Sequence, residues 1–359
     1  MKKIILTVTN DLTYDQRMHK ICASLSKAGY SVELVGRKLH SSKPLDNKTF
    51  RQTRLYCFFK KGKLFYIEYN IRLLFFLLFR KFDIVCAVDL DTILPALSVG
   101  TLRSKKMVYD AHEYFTEVPE VINRPVVQKI WKAIERFAVP KMDLCYTVSN
   151  SLGEIFEQEY HKKFYIIKNA PLLTEGNWPG EPGNFILYQG ALNAGRGLED
   201  LILAMQQIPL QLKIVGEGDL SSVLRKMVND FNLQDKITFL GYMKPDDLKE
   251  LTPKAFAGYN LLADMGKSYY YSLSNKFFDY IHAGIPGISN NYPEYTYINN
   301  QYETAVLTNL SVSSIVLTVN TLIKNKDYYN RLKQNCAQAA RVYNWQEEEK
   351  LLVNLYRGL

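Results

Sequence analysis

Glycine is missing where many nucleotide-binding chains depend on it. The first apolar run, Ile4–Thr9, is followed by Asn10-Asp11-Leu12-Thr13-Tyr14-Asp15, so the glycine-rich turn of a dinucleotide-binding unit is excluded there. The absence of Gly-x-x-x-x-Gly-Lys-Ser/Thr excludes a P-loop hydrolase. Cysteine is sparse: Cys22, Cys57, Cys86, Cys145 and Cys336 are widely spaced and hold no Cys-x-x-Cys pair. A disulfide framework is excluded, and reduced thiols of a cytoplasmic protein are expected. The five histidines show no metal-ligand spacing, and no metal or other cofactor is expected. No apolar run reaches the roughly 20 residues that a bilayer crossing needs. There are no repeats and no low-complexity stretch. A basic tail or nucleic-acid-binding motif is also absent, and nucleic acid is not an expected partner.

What is present is a chain of 359 residues, 47 % hydrophobic, with a net charge of +9. Its length favours two domains, and its charge favours anionic partners. Met1-Lys2-Lys3 runs straight into apolar residues without a cleavage site, as a first strand does. Short apolar runs at Ile4–Thr9, Ser31–Val35, Ile84–Val88, Met107–Tyr109, Leu144–Val148 and Phe164–Ile167 alternate with helical patterns such as Tyr14–Ala28 and Val126–Ala138. Nearly continuous apolar strands predict a parallel sheet covered on both faces. The linker-like stretch Pro171–Asn184 breaks the periodicity. Beyond it the pattern restarts with Phe185–Tyr188, Leu212–Val215, Ile237–Leu240, Phe256–Leu262, Gly287–Ser289 and Ala305–Leu307. The predicted class is α/β, with two tandem doubly wound domains facing across a cleft, residues 1–170 and 171–344. A last helix within 345–359 is expected to return to the first domain.

Three turns in the second half share one chemistry. Gln189-Gly190-Ala191-Leu192-Asn193-Ala194-Gly195-Arg196-Gly197 and Val215-Gly216-Glu217-Gly218-Asp219 each link a strand to a helix, and Ser274–Asp279 opens a helix closed by Gly284 and Pro286. Glycines admit a phosphate to the backbone, helix N-termini at Gly197, Asp219 and Asn275 attract it, and Arg196 can pair with it bidentately. Ser274-Asn275 is the expected N-cap, Lys276 adds a cation, and Asp279 can accept from the hydroxyls of a ribose.

With Tyr109-Asp110-Ala111-His112-Glu113, Ile214 through Gly218, Phe239-Leu240-Gly241-Tyr242 and Asn275 through Pro286, this set resembles the retaining glycosyltransferases of the GT-B fold, family GT4. The resemblance covers almost the whole chain. It implies two Rossmann-like domains, a nucleoside diphosphate sugar donor in the second, and a glycan or lipid-linked acceptor in the first. It also implies transfer without a metal, His112 beside the donor sugar, and base recognition near Tyr242 and Met243. The family's Glu-x7-Glu pair falls at Tyr271 and Asp279, and Arg196 stands where a lysine is usual. UDP is the favoured nucleotide, and surface-polysaccharide synthesis the expected setting. A 2-epimerase of the same fold and a silent nucleotide-sugar-binding subunit are the alternatives.

In the first half, Glu113 reads as a turn cap or as part of the acceptor site. Asp15 and Arg17 read either as acceptor contacts or as a surface pair. Asp89-Leu90-Asp91 resembles a metal-binding Asp-x-Asp, but its place predicts a cap for the helix Thr92–Leu102. Residues 60–81 combine Lys60, Lys61 and Lys63 with an almost wholly apolar helix ending in Arg80-Lys81. Two readings apply: a core helix, or a contact with an anionic membrane at the inner face of the cell membrane.

Overall fold

Branched and aromatic runs form strands here because both of their faces are covered. The computed structural model describes residues 1–174 and 183–359; within the expected linker Pro171–Asn184, residues 175–182 lie outside the described residues. The chain divides into two compact units, Met1–Asn169 with Glu348–Leu359, and Ala170–Glu347.

The first unit contains β1 (Lys3–Thr7), β2 (Ser31–Lys38), β3 (Arg51–Tyr56), β4 (Ile84–Val88), β5 (Lys106–Ala111), β6 (Leu144–Thr147) and β7 (Phe164–Ile166). They form a parallel sheet in the order β3-β2-β1-β4-β5-β6-β7. Strand β3 was not expected. Its sequence Arg-Gln-Thr-Arg-Leu-Tyr is polar because it is an edge strand, with no residue fully buried. Arg54 on β3 donates through Nε to the Asp11 carbonyl (2.6 Å) and through Nη2 to Thr13 Oγ1 (2.9 Å), tying down the loop after β1.

The second unit contains β8 (Phe185–Gln189), β9 (Gln211–Val215), β10 (Ile237–Gly241), β11 (Ala257–Asn260), β12 (Gly287–Asn290) and β13 (Ala305–Thr308). Its sheet is also parallel, in the order β10-β9-β8-β11-β12-β13. In each sheet the chain order reverses beside the first strand, at β1/β4 and at β8/β11. Loops leaving the carboxyl ends of strands splay apart at such a point and leave a crevice for ligands.

The returning C-terminal segment completes the first unit's core. Tyr356 is fully buried, packs edge-on against Tyr30 and Tyr146 at 6.5 and 6.4 Å, and its hydroxyl lies 3.3 Å from that of Tyr146. The helix Gly62–Phe79 has two apolar stripes rather than one. Phe65, Tyr69, Leu73 and Leu77 are buried, whereas Leu64, Ile67, Ile71, Phe75 and Phe79 are exposed. Among the described residues no helix is long and apolar enough to cross a membrane.

Candidate active site

In the second unit the chain leaves the carboxyl ends of β8 and β9 through backbone that only glycine can supply. Gly190 and Gly216 end β8 and β9 at φ of +140° and +127°. The Gly216 N–H donates to the Gly241 carbonyl (2.8 Å), and a Cβ there would run into the Gly190 carbonyl. Gly195 and Gly197 are left-handed as well, at φ of +78° and +62°, and Gly197 opens the helix Leu198–Ala204. Strands and turns are thus pressed close enough to bring their side chains together.

Three predicted residues share one electrostatic neighbourhood. Lys276 is only 8 % exposed, and its ammonium lies 4.2 Å from the centre of the Tyr188 ring. Burial above all, with the charge of Arg196, lowers its pKa to about 7 against the opposing charge of Asp279. Arg196 in turn stacks over Tyr269 at 5.1 Å. Asp279 Oδ2 accepts from Gln189 Nε2 (2.8 Å), and Gln189 Oε1 accepts from the buried Thr252 hydroxyl (3.0 Å). Two cations and one oriented carboxylate at a sheet switch point suit a ligand that joins a diphosphate to a hydroxyl-bearing ring.

Other residues sit differently from the expectation. Ser274 occupies the N-cap position of the helix Asn275–His282, but its hydroxyl donates to Asn260 Oδ1 (2.7 Å) rather than capping. Asn260, at the end of β11, takes that bond because its buried amide oxygen needs a donor. The free N–H groups expected near Asp219 are committed as well. Gly218 donates to Ser221 Oγ (2.9 Å) and Asp219 to Asn193 Oδ1 (3.3 Å), and the helix begins only at Ser221. Glu217 forms an ion pair with Arg225 (2.8 Å). Tyr242 is exposed, while Met243 packs against the core group that includes Phe185, Leu187 and Tyr280.

In the first unit His112 follows β5. Its Nε2 lies 2.9 Å from Asp110 Oδ2, and Asp110 Oδ1 accepts from Arg17 Nη2 at 3.0 Å. Arg17 is therefore neither an acceptor contact nor one of a surface pair. It is 5 % exposed and also donates to the Ile167 carbonyl (2.9 Å). Asp15 caps the helix Gln16–Lys27, accepting from the Met18 N–H (3.0 Å) and from Asn10 Nδ2 (2.6 Å). Glu113 is exposed beside His112. The cap reading of Asp89 fails: no side-chain bond reaches the helix, which starts at Ile93 after Thr92. Asp89 instead holds φ at +56° and accepts the His112 backbone N–H through Oδ1 (2.8 Å). Asp91 is occupied by the Thr9 hydroxyl at 2.6 Å. Among the described residues no group of three or more His, Cys, Asp and Glu side chains is arranged to hold a metal ion.

Comparison with known proteins agrees with this architecture. The family described as glycosyl transferases group 1 matches residues 176–339, and that described as glycosyltransferase family 4 matches residues 16–170. The uncharacterized glycosyltransferase YqgM of Bacillus subtilis (strain 168) is 25 % identical over 181 residues, which are 48 % of this chain and 50 % of that protein. The match thus spans about half the length of that relative. Among solved structures, sucrose-phosphate synthase from Thermosynechococcus elongatus superposes with a TM-score of 0.81 at 17 % identity, over 100 % of this chain and 99 % of that one. HepE from Anabaena, in complex with UDP-glucose, superposes with a TM-score of 0.77 at 12 % identity, over 100 % of both chains.

Proposed function

Since the chain belongs to the family 4, group 1 glycosyltransferases of the GT-B fold, we propose that it moves a sugar from a nucleoside diphosphate donor to a hydroxyl of a glycan or lipid-linked acceptor. Transfer retains the anomeric configuration and uses no metal. The observation that carries this reading is the shared neighbourhood of Arg196, Lys276 and Asp279 at the β8/β11 switch point. The sugar–phosphate bond already has a good leaving group, so the main task is to neutralise charge developing on the diphosphate. Arg196 and Lys276, with the helix N-termini at Gly197 and Asn275, supply that charge. The leaving phosphate oxygen then takes the proton of the incoming hydroxyl on the same face, and no separate carboxylate base is required. Asp279 accepts from the ribose. UDP is the favoured nucleotide, supported by the UDP-glucose complex of the structurally similar Anabaena protein.

The exposed stripe of Leu64, Ile67, Ile71, Phe75 and Phe79, flanked by Lys60, Lys61, Lys63, Arg80 and Lys81, favours a contact with an anionic bilayer. A peripheral position at the inner face of the membrane brings the enzyme to a lipid-linked acceptor.

A thermal-shift panel of UDP, GDP, ADP and dTDP sugars tests donor binding. A ligand at 100 times its dissociation constant stabilises the fold by about 2.7 kcal/mol. Arg196→Ala is expected to abolish most turnover with the unfolding temperature unchanged, and wild-type turnover in that variant would overturn the assignment.

A further inference from the structure

Resting on the reading of Asp279 as the ribose acceptor, we propose that Gln189 is a positioning residue that holds the Asp279 carboxylate in one orientation. The Thr252 hydroxyl turns the Gln189 amide toward it, and this buried relay selects ribonucleotide over 2′-deoxynucleotide donors. All three residues belong to the second unit. Gln189 ends β8 and Thr252 opens the turn Thr252–Lys254, and both are buried. Gln189 Nε2 donates to Asp279 Oδ2 at 2.8 Å, and the Thr252 hydroxyl donates to Gln189 Oε1 at 3.0 Å. A carboxylate only accepts, so Nε2 and not Oε1 must face Asp279. That choice leaves Oε1 in need of a donor in a buried place, and Thr252 supplies it. The same hydroxyl also lies 2.7 Å from the Leu248 carbonyl, one helical turn back. Its single hydrogen serves two acceptors, so Thr252 steers the amide more weakly than Gln189 steers the carboxylate.

Backbone and side chain of Asp279 are fixed by different means. Its neighbour Tyr280 is buried and seats the helix Asn275–His282 on the sheet, with a hydroxyl 3.2 Å from the carbonyls of Leu187 on β8 and Tyr259 on β11. The half-buried Asp279 side chain keeps torsions that the helix does not set. The bond from Gln189 removes that freedom, and β8, which carries Gln189, lies between β9 and β11 inside the sheet. Two vicinal hydroxyls then meet a carboxylate already in place, without the cost of ordering it on binding. A carboxylate free to turn can follow the 3′-hydroxyl alone. A fixed one loses a partner when the 2′-hydroxyl is missing.

The test is calorimetry with UDP and 2′-deoxy-UDP, which differ in one hydroxyl. The wild type is expected to prefer UDP by about tenfold or more. Gln189→Leu is expected to weaken UDP by about three- to tenfold and 2′-deoxy-UDP by less than about twofold, so that the preference shrinks. Thr252→Val is expected to shrink it by a smaller factor, and Thr252→Ser, which keeps the hydroxyl, to retain it. In an Asp279→Asn background, Gln189→Leu should add less than about twofold to the loss of UDP affinity. A wild type that binds the two nucleotides alike overturns the proposal. So does a Gln189→Leu variant that weakens both equally, as a merely structural amide would. Should Gln189→Leu not fold, Thr252→Val and Thr252→Ser decide it, and equal preferences in the two overturn it. Unchanged UDP affinity in Asp279→Asn sinks the ribose reading and the relay with it. Weakened UDP binding in Asp279→Asn, with the wild-type preference intact in Gln189→Leu, sinks the relay alone.

Discussion

Lys276 is expected to turn donor binding into a proton-uptake reaction. Its ammonium sits in a buried position against the Tyr188 ring, with Arg196 as a like-charged neighbour, and its pKa falls from 10.5 to about 7. In the empty protein it is charged only below about pH 7, and at pH 8 roughly a tenth of molecules carry the proton. A diphosphate placed beside it restores the charged form, so binding at pH 8 draws about 0.9 proton from solution, and at pH 7 about 0.5. A UDP-sugar is the proper probe, because its doubly esterified diphosphate does not titrate in this range. The sign follows: donor affinity weakens as pH rises above about 7, by nearly tenfold or about 1.4 kcal/mol per unit, until the lysine of the donor complex itself deprotonates. Isothermal titration calorimetry at pH 8, in buffers of different ionisation enthalpy, reads the uptake as the slope of heat against that enthalpy. A slope of about 0.9 is expected for the wild type and about zero for Lys276→Met. A flat wild-type plot, or the same slope in Lys276→Met, refutes the reasoning.

Asp279→Asn is expected to weaken UDP and UDP-sugar alike, by about tenfold or more, because the lost acceptor serves the part they share; unchanged nucleotide affinity would mean that the Asn275–His282 helix does not meet the ribose. Gly216→Ala puts a Cβ against the Gly190 carbonyl at φ +127°, and should cost about 1–3 kcal/mol in thermal unfolding as well as donor affinity by calorimetry. On the helix Gly62–Phe79 the two stripes should separate cleanly. Leu73→Ala is expected to destabilise by about 2–5 kcal/mol. Phe75→Ser with Phe79→Ser should leave the unfolding temperature alone and reduce co-sedimentation with phosphatidylglycerol vesicles; full retention on vesicles would remove the membrane contact.

The parts of the fold legible in the sequence were those written in local pattern. Runs such as Ile84–Val88 and Leu212–Val215 are apolar on both faces and announce buried strands without knowledge of their neighbours. Strand β3 escaped because an edge strand needs no apolar face, and Arg51–Tyr56 resembles a loop until β2 is seen beside it. The glycine turns were legible for the same local reason, since left-handed backbone is a property of one residue. Side-chain partners were not. Ser274 satisfied every local rule for a cap, yet its hydroxyl bonds Asn260, and Arg17 looked like a surface residue until Asp110, far along the chain, was placed against it. Gln189 and Thr252 were invisible as supports of Asp279 because neither residue type marks chemistry by itself. Asp89 misled for a related reason: an aspartate before a helix is usually a cap, and only His112, just past the end of the adjacent strand β5, supplies the N–H it takes instead.

The burial of Tyr356 among Tyr30 and Tyr146 sets an order on how this protein comes into being. A ribosome delivers Met1–Asn169 long before Glu348–Leu359, yet both belong to one compact unit. During translation, therefore, the first unit waits with the aromatic seat for Tyr356 empty while all of Ala170–Glu347 is synthesised. That second unit is continuous in the chain and can close as soon as its own strands have emerged. The half of the molecule that is made first is thus finished last.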